Sequence, residues 1–174
     1  AAISACNRFI KLYPQNSYVD YAYYLKGLAN FNKGKANVQR FIPNDIVDEA
    51  QRDTGSAYEA FQNFSELIKK YPDSEYVEDA KQRMRHLRNN LASNEIFVAN
   101  YYMKRGAFLA AANRARYVIE NYNRTSVVPE ALVIMARAYR ILEMEDLARD
   151  AIRVLKLNYP NHPGSYEVEE LEIK

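Results

Sequence analysis

An all-α fold of packed helical hairpins is what this 174-residue sequence predicts, on three observations. Four closures, Tyr13-Pro14, Tyr71-Pro72, Tyr122-Asn123 and Tyr159-Pro160, each end an amphipathic stretch, and twelve residues before the second member of each stands an alanine: Ala2, Ala60, Ala111 and Ala148. Nine residues after the tyrosines come Ala22, Ala80 and Ala131, with Gly27, Ala99 and Ala136 further into the same helices. Small side chains at fixed slots let two helix axes approach closely, as an antiparallel pair needs. No segment shows the two-residue alternation of a strand.

The elements follow from periodicity and punctuation. Ala1 already reads as lying inside the first helix with no capping residue before it, so the sequence is expected to be a piece of a longer chain, and any anchor or targeting signal would lie in the part left out. Asn16 or Ser17 starts the next helix, which runs through a tyrosine-rich stretch to Lys33 and ends at Gly34. Pro43, Asn44, Asp45, Asp53, Thr54 and Gly55 mark a long loop, with a turn of helix around residues 46–50. A second helix closes at Tyr71-Pro72. Asp73 or Ser74 then opens one long helix without proline or glycine, carrying Val77, Ala80, Met84, Leu87, Leu91, Val98 and Tyr101 at three- and four-residue steps if Asn94 is counted between Leu91 and Val98, and stopping at Lys104-Arg105-Gly106. Thr125 or Ser126, with Pro129 and Glu130 behind it, starts the helix that leads into the last hairpin.

A helix pair with small residues at these slots and proline near its end resembles the tetratricopeptide repeat, whose unit is 34 residues. The last unit fits best, although Glu143 stands where the turn glycine is usual. The tyrosine-to-tyrosine distances are 58, 51 and 37 residues, so two units carry extra length. The expectation is therefore one α-solenoid domain, 1–174: a partial repeat 1–14, a repeat 17–72 with an inserted loop 35–56, a repeat 74–123 with an overlong first helix, a repeat 126–160, and a tail 161–174. Seventeen extra residues lengthen the helix by about 25 Å, so its apolar stripe is expected to need another surface to cover it.

The chemistry is narrowed by what is missing. His86 and His162 have no ligand partners at metal spacing, Cys6 shares a face with Ala2 and Phe9 as a small core residue, and no GxSxG, HExxH or phosphate-cradling glycine loop occurs. Enzymatic activity, a cofactor and a metal are not expected. Asn63-Phe64-Ser65 and Asn123-Arg124-Thr125 match the glycosylation pattern, the first inside a helix. Apolar runs such as 107–112 and 131–136 fall far short of the roughly 20 residues that span a bilayer. Tyr13, Tyr71, Tyr122 and Tyr159 are expected to be core residues with the hydroxyl at the rim. Tyr18, Tyr21, Tyr23 and Tyr24 are too close together to share one helical face, so some must be exposed and suited to an extended peptide. Residues 81–156 hold 14 Lys and Arg against 7 Asp and Glu. A basic segment of this kind suits an acidic protein partner or simple solvation. No nucleic-acid motif accompanies it, and its arginines are spread over several helices. Arg114 and Arg116, in an alanine-rich helix, are plausible interface anchors.

The order of segments carries a closer resemblance. Residues 8–14 (RFIKLYP), 19–29 (VDYAYYLKGLA), 101–107 (YYMKRGA) and 110–114 (AAANR), with the insertion after Gly34 and the Pro129-Glu130-Ala131-Leu132 start, resemble the BamD family of outer-membrane assembly lipoproteins over essentially the whole chain. The family's signal peptide, lipidated cysteine and first repeat have no counterpart here, and Cys6, inside a helix, is not the lipid site. The resemblance implies a non-catalytic scaffold on the periplasmic side of a Gram-negative outer membrane, lipid-anchored in full length. It also implies the partners: a POTRA domain of BamA, other Bam lipoproteins and unfolded outer-membrane proteins, with no nucleic acid. It places Asn113 and Arg114 at the BamA interface, with Arg116, Lys104 and Arg105 as further expected cations, and makes Tyr18, Tyr21, Tyr23 and Tyr24 the expected substrate-peptide groove. The alternative is a generic tetratricopeptide adaptor that binds extended peptides or C-termini in its concave groove.

Overall fold

The computed structural model describes residues 1–36 and 54–172. Within them lie eight helices and no strand: α1 (Ala2–Leu12), α2 (Val19–Ala36), α3 (Thr54–Lys70), α4 (Val77–Lys104), α5 (Phe108–Asn121), α6 (Val128–Ile141), α7 (Glu145–Asn158) and α8 (Pro163–Glu172). The helix expected around residues 46–50, with most of the inserted loop, lies outside the described residues. Two compact units, Ala1–Leu91 and Ala92–Lys174, divide the chain, and the division falls within α4.

One backbone motif recurs at all four closures and explains the sequence repeat. At Tyr13, Tyr71, Tyr122 and Tyr159 the tyrosine carbonyl accepts the N–H of the residue three on, and that residue's carbonyl accepts the N–H three further. The i+3 residue is Asn16, Ser74, Thr125 or His162. Asn16 Oδ1, Ser74 Oγ and His162 Nδ1 accept the N–H two residues ahead, while Thr125 Oγ1 donates back to the Tyr122 carbonyl. These bonds satisfy backbone groups that a helix terminus leaves open. Two other stops are left-handed. Gly106 (φ 75°) and Glu143 (φ 59°) each follow a helix whose last carbonyls are met by a 5→2 and a 6→1 bond. Glu143 thus takes the conformation of the glycine it replaces.

In the first unit α1 packs on α2 and α2 on α3. The core comprises Val19, Tyr23, Phe31, Ala60, Phe64, Leu67, Ala80 and Leu87. Gly27 is what brings α2 against α3: a Cβ there would stand 2.4 Å from the Phe64 ring. Cys6 is buried in α1, as expected of a core residue. The helix α2 runs two residues past Gly34, which is accommodated as a helical glycine. Tyr71, Tyr122 and Tyr159 are half-buried, but Tyr13 is 57% exposed and Ala2 is exposed, at the two ends of α1, which packs on α2 through its other face.

In the second unit α6 packs between α5 and α7, and α8 lies on α6 and α7. Alanines at Ala92, Ala99, Ala111, Ala115 and Ala131, all fully buried, permit the close helix approach that the repeat spacing predicts. The apolar stripe of α4 does not wait for an outside partner. Its early part, Ala80 and Leu87, enters the first core, and Ala92, Ile96 and Ala99 enter the second. Leu91 and Val98 are only half-buried and Tyr101 is exposed, so the stripe extrapolated from the first half is not the one the second unit buries. Residues 163–172, read from sequence as tail, form α8. Pro163 starts it, His162 caps it, and Gly164 passes so close to α6 that a Cβ would meet Val133 Cγ2 at 2.3 Å.

Candidate functional site

The second unit holds an open cleft of about 600 Å³ lined by Glu95 and Tyr102 of α4 and by Ala110, Asn113, Arg114 and Tyr117 of α5. The cleft exists because Ala111, Ala112 and Ala115 turn the small face of α5 to the core and leave positions 113, 114 and 117 outward. Arg114 Nη1 donates to Glu95 Oε2 at 3.0 Å. The Glu95 side chain is 18% exposed and that of Arg114 46%, so the carboxylate is sunk and the guanidinium stands at the mouth. The Glu95 hydrogen bond, with the charge behind it, raises the guanidinium's proton affinity, and Tyr102 adds to the effect. At this exposure the pair contributes at most about 1 kcal/mol to stability. Its consequence is geometric.

Of the other expected interface cations, none lines the cleft. Arg116 donates to Asn113 Oδ1 at 3.1 Å and lies 3.8 Å from Glu120. Arg105 folds over the Tyr101 ring and donates to its hydroxyl, and Lys104 is exposed at the end of α4. Glu95, Tyr102 and Tyr117 had no signal in the sequence as partners of Arg114, because Glu95 lies nineteen residues away on another helix.

The four expected groove tyrosines of the first unit separate by face. Tyr18 is 68% exposed and Tyr21 39%, whereas Tyr23 is buried and receives a hydrogen bond from Lys70 Nζ at 2.7 Å. Tyr24 stacks on Tyr76 with centroids 4.8 Å apart, and Tyr21 lies 5.2 Å from the same ring. The Tyr24 hydroxyl and Arg83 Nε both donate to Asp79 Oδ2 at 2.5 Å, and Arg83 covers the Phe31 ring. The Arg83 hydrogen bond holds the Asp79 carboxyl below its ordinary range. Burial, and then the bond to Asp79, push the Tyr24 phenol up. Of the four, the exposed rings are thus Tyr18 and Tyr21, the latter against Tyr76, while Tyr23 belongs to the core.

Among the described residues no group of three or more His, Cys, Asp or Glu could hold a metal ion, and no helix is long and apolar enough to cross a membrane. His86 is exposed and tilts against Phe31, and His162 is engaged as a cap.

Helical hairpins joined by one repeated turn, with an open cleft of arginine, acid and tyrosines in the second unit, place the chain among the helical-repeat proteins. Residues 1–155 match the family model YfiO, described as an outer membrane lipoprotein. The chain belongs to this family of outer membrane lipoproteins. It is 44% identical over 162 residues to the outer membrane protein assembly factor BamD of Neisseria gonorrhoeae, covering 93% of this chain and 60% of that protein. The proteins of the same name from Xylella fastidiosa strain 9a5c and Caulobacter vibrioides are 36% and 33% identical, covering 93% and 91% of this chain and 54% and 48% of theirs. The chain therefore spans about half to three-fifths of the length of these relatives.

Proposed function

We propose that this chain acts as a non-catalytic scaffold in outer-membrane protein assembly, on the periplasmic side of the outer membrane, and that it docks through the Arg114 cleft onto the membrane-proximal POTRA domain of BamA. The observation that carries the reading is the placement of Arg114. In a chain of this family it stands at the mouth of an open cleft, charged, nearly half exposed, and flanked by two tyrosines. A guanidinium so placed suits a partner carboxylate, and the rings beside it supply the apolar contact that interface hot spots combine with charge. Calorimetric titration of the chain with the isolated POTRA domain tests it. Wild type binds and Arg114→Glu does not, with the helical circular dichroism of the two alike. Equal binding by the two proteins refutes the assignment.

The exposure of Tyr18 and Tyr21, with Tyr76 against Tyr21, supports a second contact of the same scaffold, with aromatic residues of unfolded outer-membrane proteins. Tyr23 has no part in it. A fluorescent peptide from an outer-membrane protein's C-terminal strand loses affinity for a Tyr18→Ala/Tyr21→Ala chain and keeps it for Arg114→Glu.

A further inference from the structure

We infer that Glu95 is a positioning residue for docking: it pre-orders the Arg114 guanidinium, and the partner's carboxylate joins the pair instead of displacing Glu95. The inference rests on the reading that Arg114 is the docking group. Glu95 is the more buried member, on α4, and reaches across to α5 to hold a single nitrogen, Nη1, at 3.0 Å. Arginine has five N–H donors in a rigid fork, so one bond to Glu95 leaves donors for a second acid. The side chain that carries them is 46% exposed into a cleft with room for an incoming group. A free arginine on a helix samples many rotamers, and immobilising it on binding costs affinity. Glu95 meets that cost before the partner arrives. The raised proton affinity of Arg114, set first by the Glu95 hydrogen bond, is consistent with a guanidinium already engaged in the unbound chain.

The sign of the effect separates this from simple electrostatics. Removing a negative charge beside an acidic partner tightens binding if charge alone matters, whereas removing a positioning residue weakens it. The experiment titrates wild type, Glu95→Gln, Glu95→Asp and Arg114→Ala with the isolated membrane-proximal POTRA domain of BamA, and follows the Arg114 Nε–Hε cross-peak by NMR in each unbound chain that retains Arg114. Glu95→Gln keeps size and an acceptor. Glu95→Asp keeps charge but withdraws it by one methylene. Both are expected to weaken binding roughly threefold to tenfold, the scale set by immobilising one long side chain. Both are also expected to move the Arg114 cross-peak to the position of solvated arginines, with unchanged melting temperature. Unchanged or tighter binding by Glu95→Gln, while Arg114→Ala loses binding, overturns the role of Glu95 and leaves the docking site standing. Unchanged binding by Arg114→Ala overturns the docking site and the role of Glu95 with it.

Discussion

Three residues show how much single positions control here. Gly27 is required by contact, since a Cβ would stand 2.4 Å from a Phe64 ring that is itself fully buried and cannot retreat. Gly27→Ala is therefore expected to cost about 1–3 kcal/mol by overpacking, read as a lower urea midpoint at unchanged slope. Glu143 is the reverse case. It occupies a left-handed position that favours glycine, so Glu143→Gly is expected to raise stability by about 1 kcal/mol; a lowered melting temperature contradicts this. Asp79 links helix α2 to α4 through the Tyr24 hydroxyl and Arg83. Because its pKa is depressed in the folded state, its contribution is complete above the unfolded value and is lost as pH falls through the folded one, below about pH 4. Wild type should lose stability more steeply than Asp79→Asn over that window, and parallel acid profiles contradict the assignment.

The repeat was legible at the scale of elements because its cause is local. The alanine slots and the Tyr-Pro closures are read off the chain, and the recurring turn bonds at Asn16, Ser74, Thr125 and His162 are their physical content. The continuity of α4 was equally legible, from 28 residues without proline or glycine. Which face it buries was not. Extrapolating a stripe past Leu87 assumes one partner, whereas the residues beyond pack in a core made with α5 and α6, where Ala92 and Ala99 matter more than Leu91 and Val98. Helix α8 carried its signals, a proline start and a cap at His162, but its docking depends on the close pass of Gly164 over Val133, which is a tertiary fact. Gly164→Ala should loosen α8, with faster amide hydrogen exchange there than in wild type while α6 keeps its protection. Unchanged exchange in α8 contradicts the close-packing account.

Charge must be read on the whole molecule. The surplus of basic residues over 81–156 is large in the sequence, yet Lys81, Arg83, Arg114, Arg116, Arg137, Arg140, Arg149 and Arg153 each lie within ion-pair distance of an acid. Glu167, outside the segment, serves Arg137. Paired and dispersed cations make a poor phosphate track, so no binding to duplex or single-stranded DNA is expected at physiological salt. Retarded migration of either nucleic acid contradicts that expectation. The candidate site followed the same rule as the fold: Asn113 and Arg114 were legible through resemblance, while Glu95, Tyr102 and Tyr117 became visible only when α4 and α5 were brought together.

The most direct measurement of the central claim is amide chemical-shift mapping of the isotope-labelled chain on addition of the unlabelled POTRA domain of BamA. Perturbations are expected to cluster at residues 95, 102, 110, 113, 114 and 117 and to spare Tyr18 and Tyr21. Perturbations centred on the tyrosine face of the first unit, with the Arg114 cleft silent, would contradict that claim.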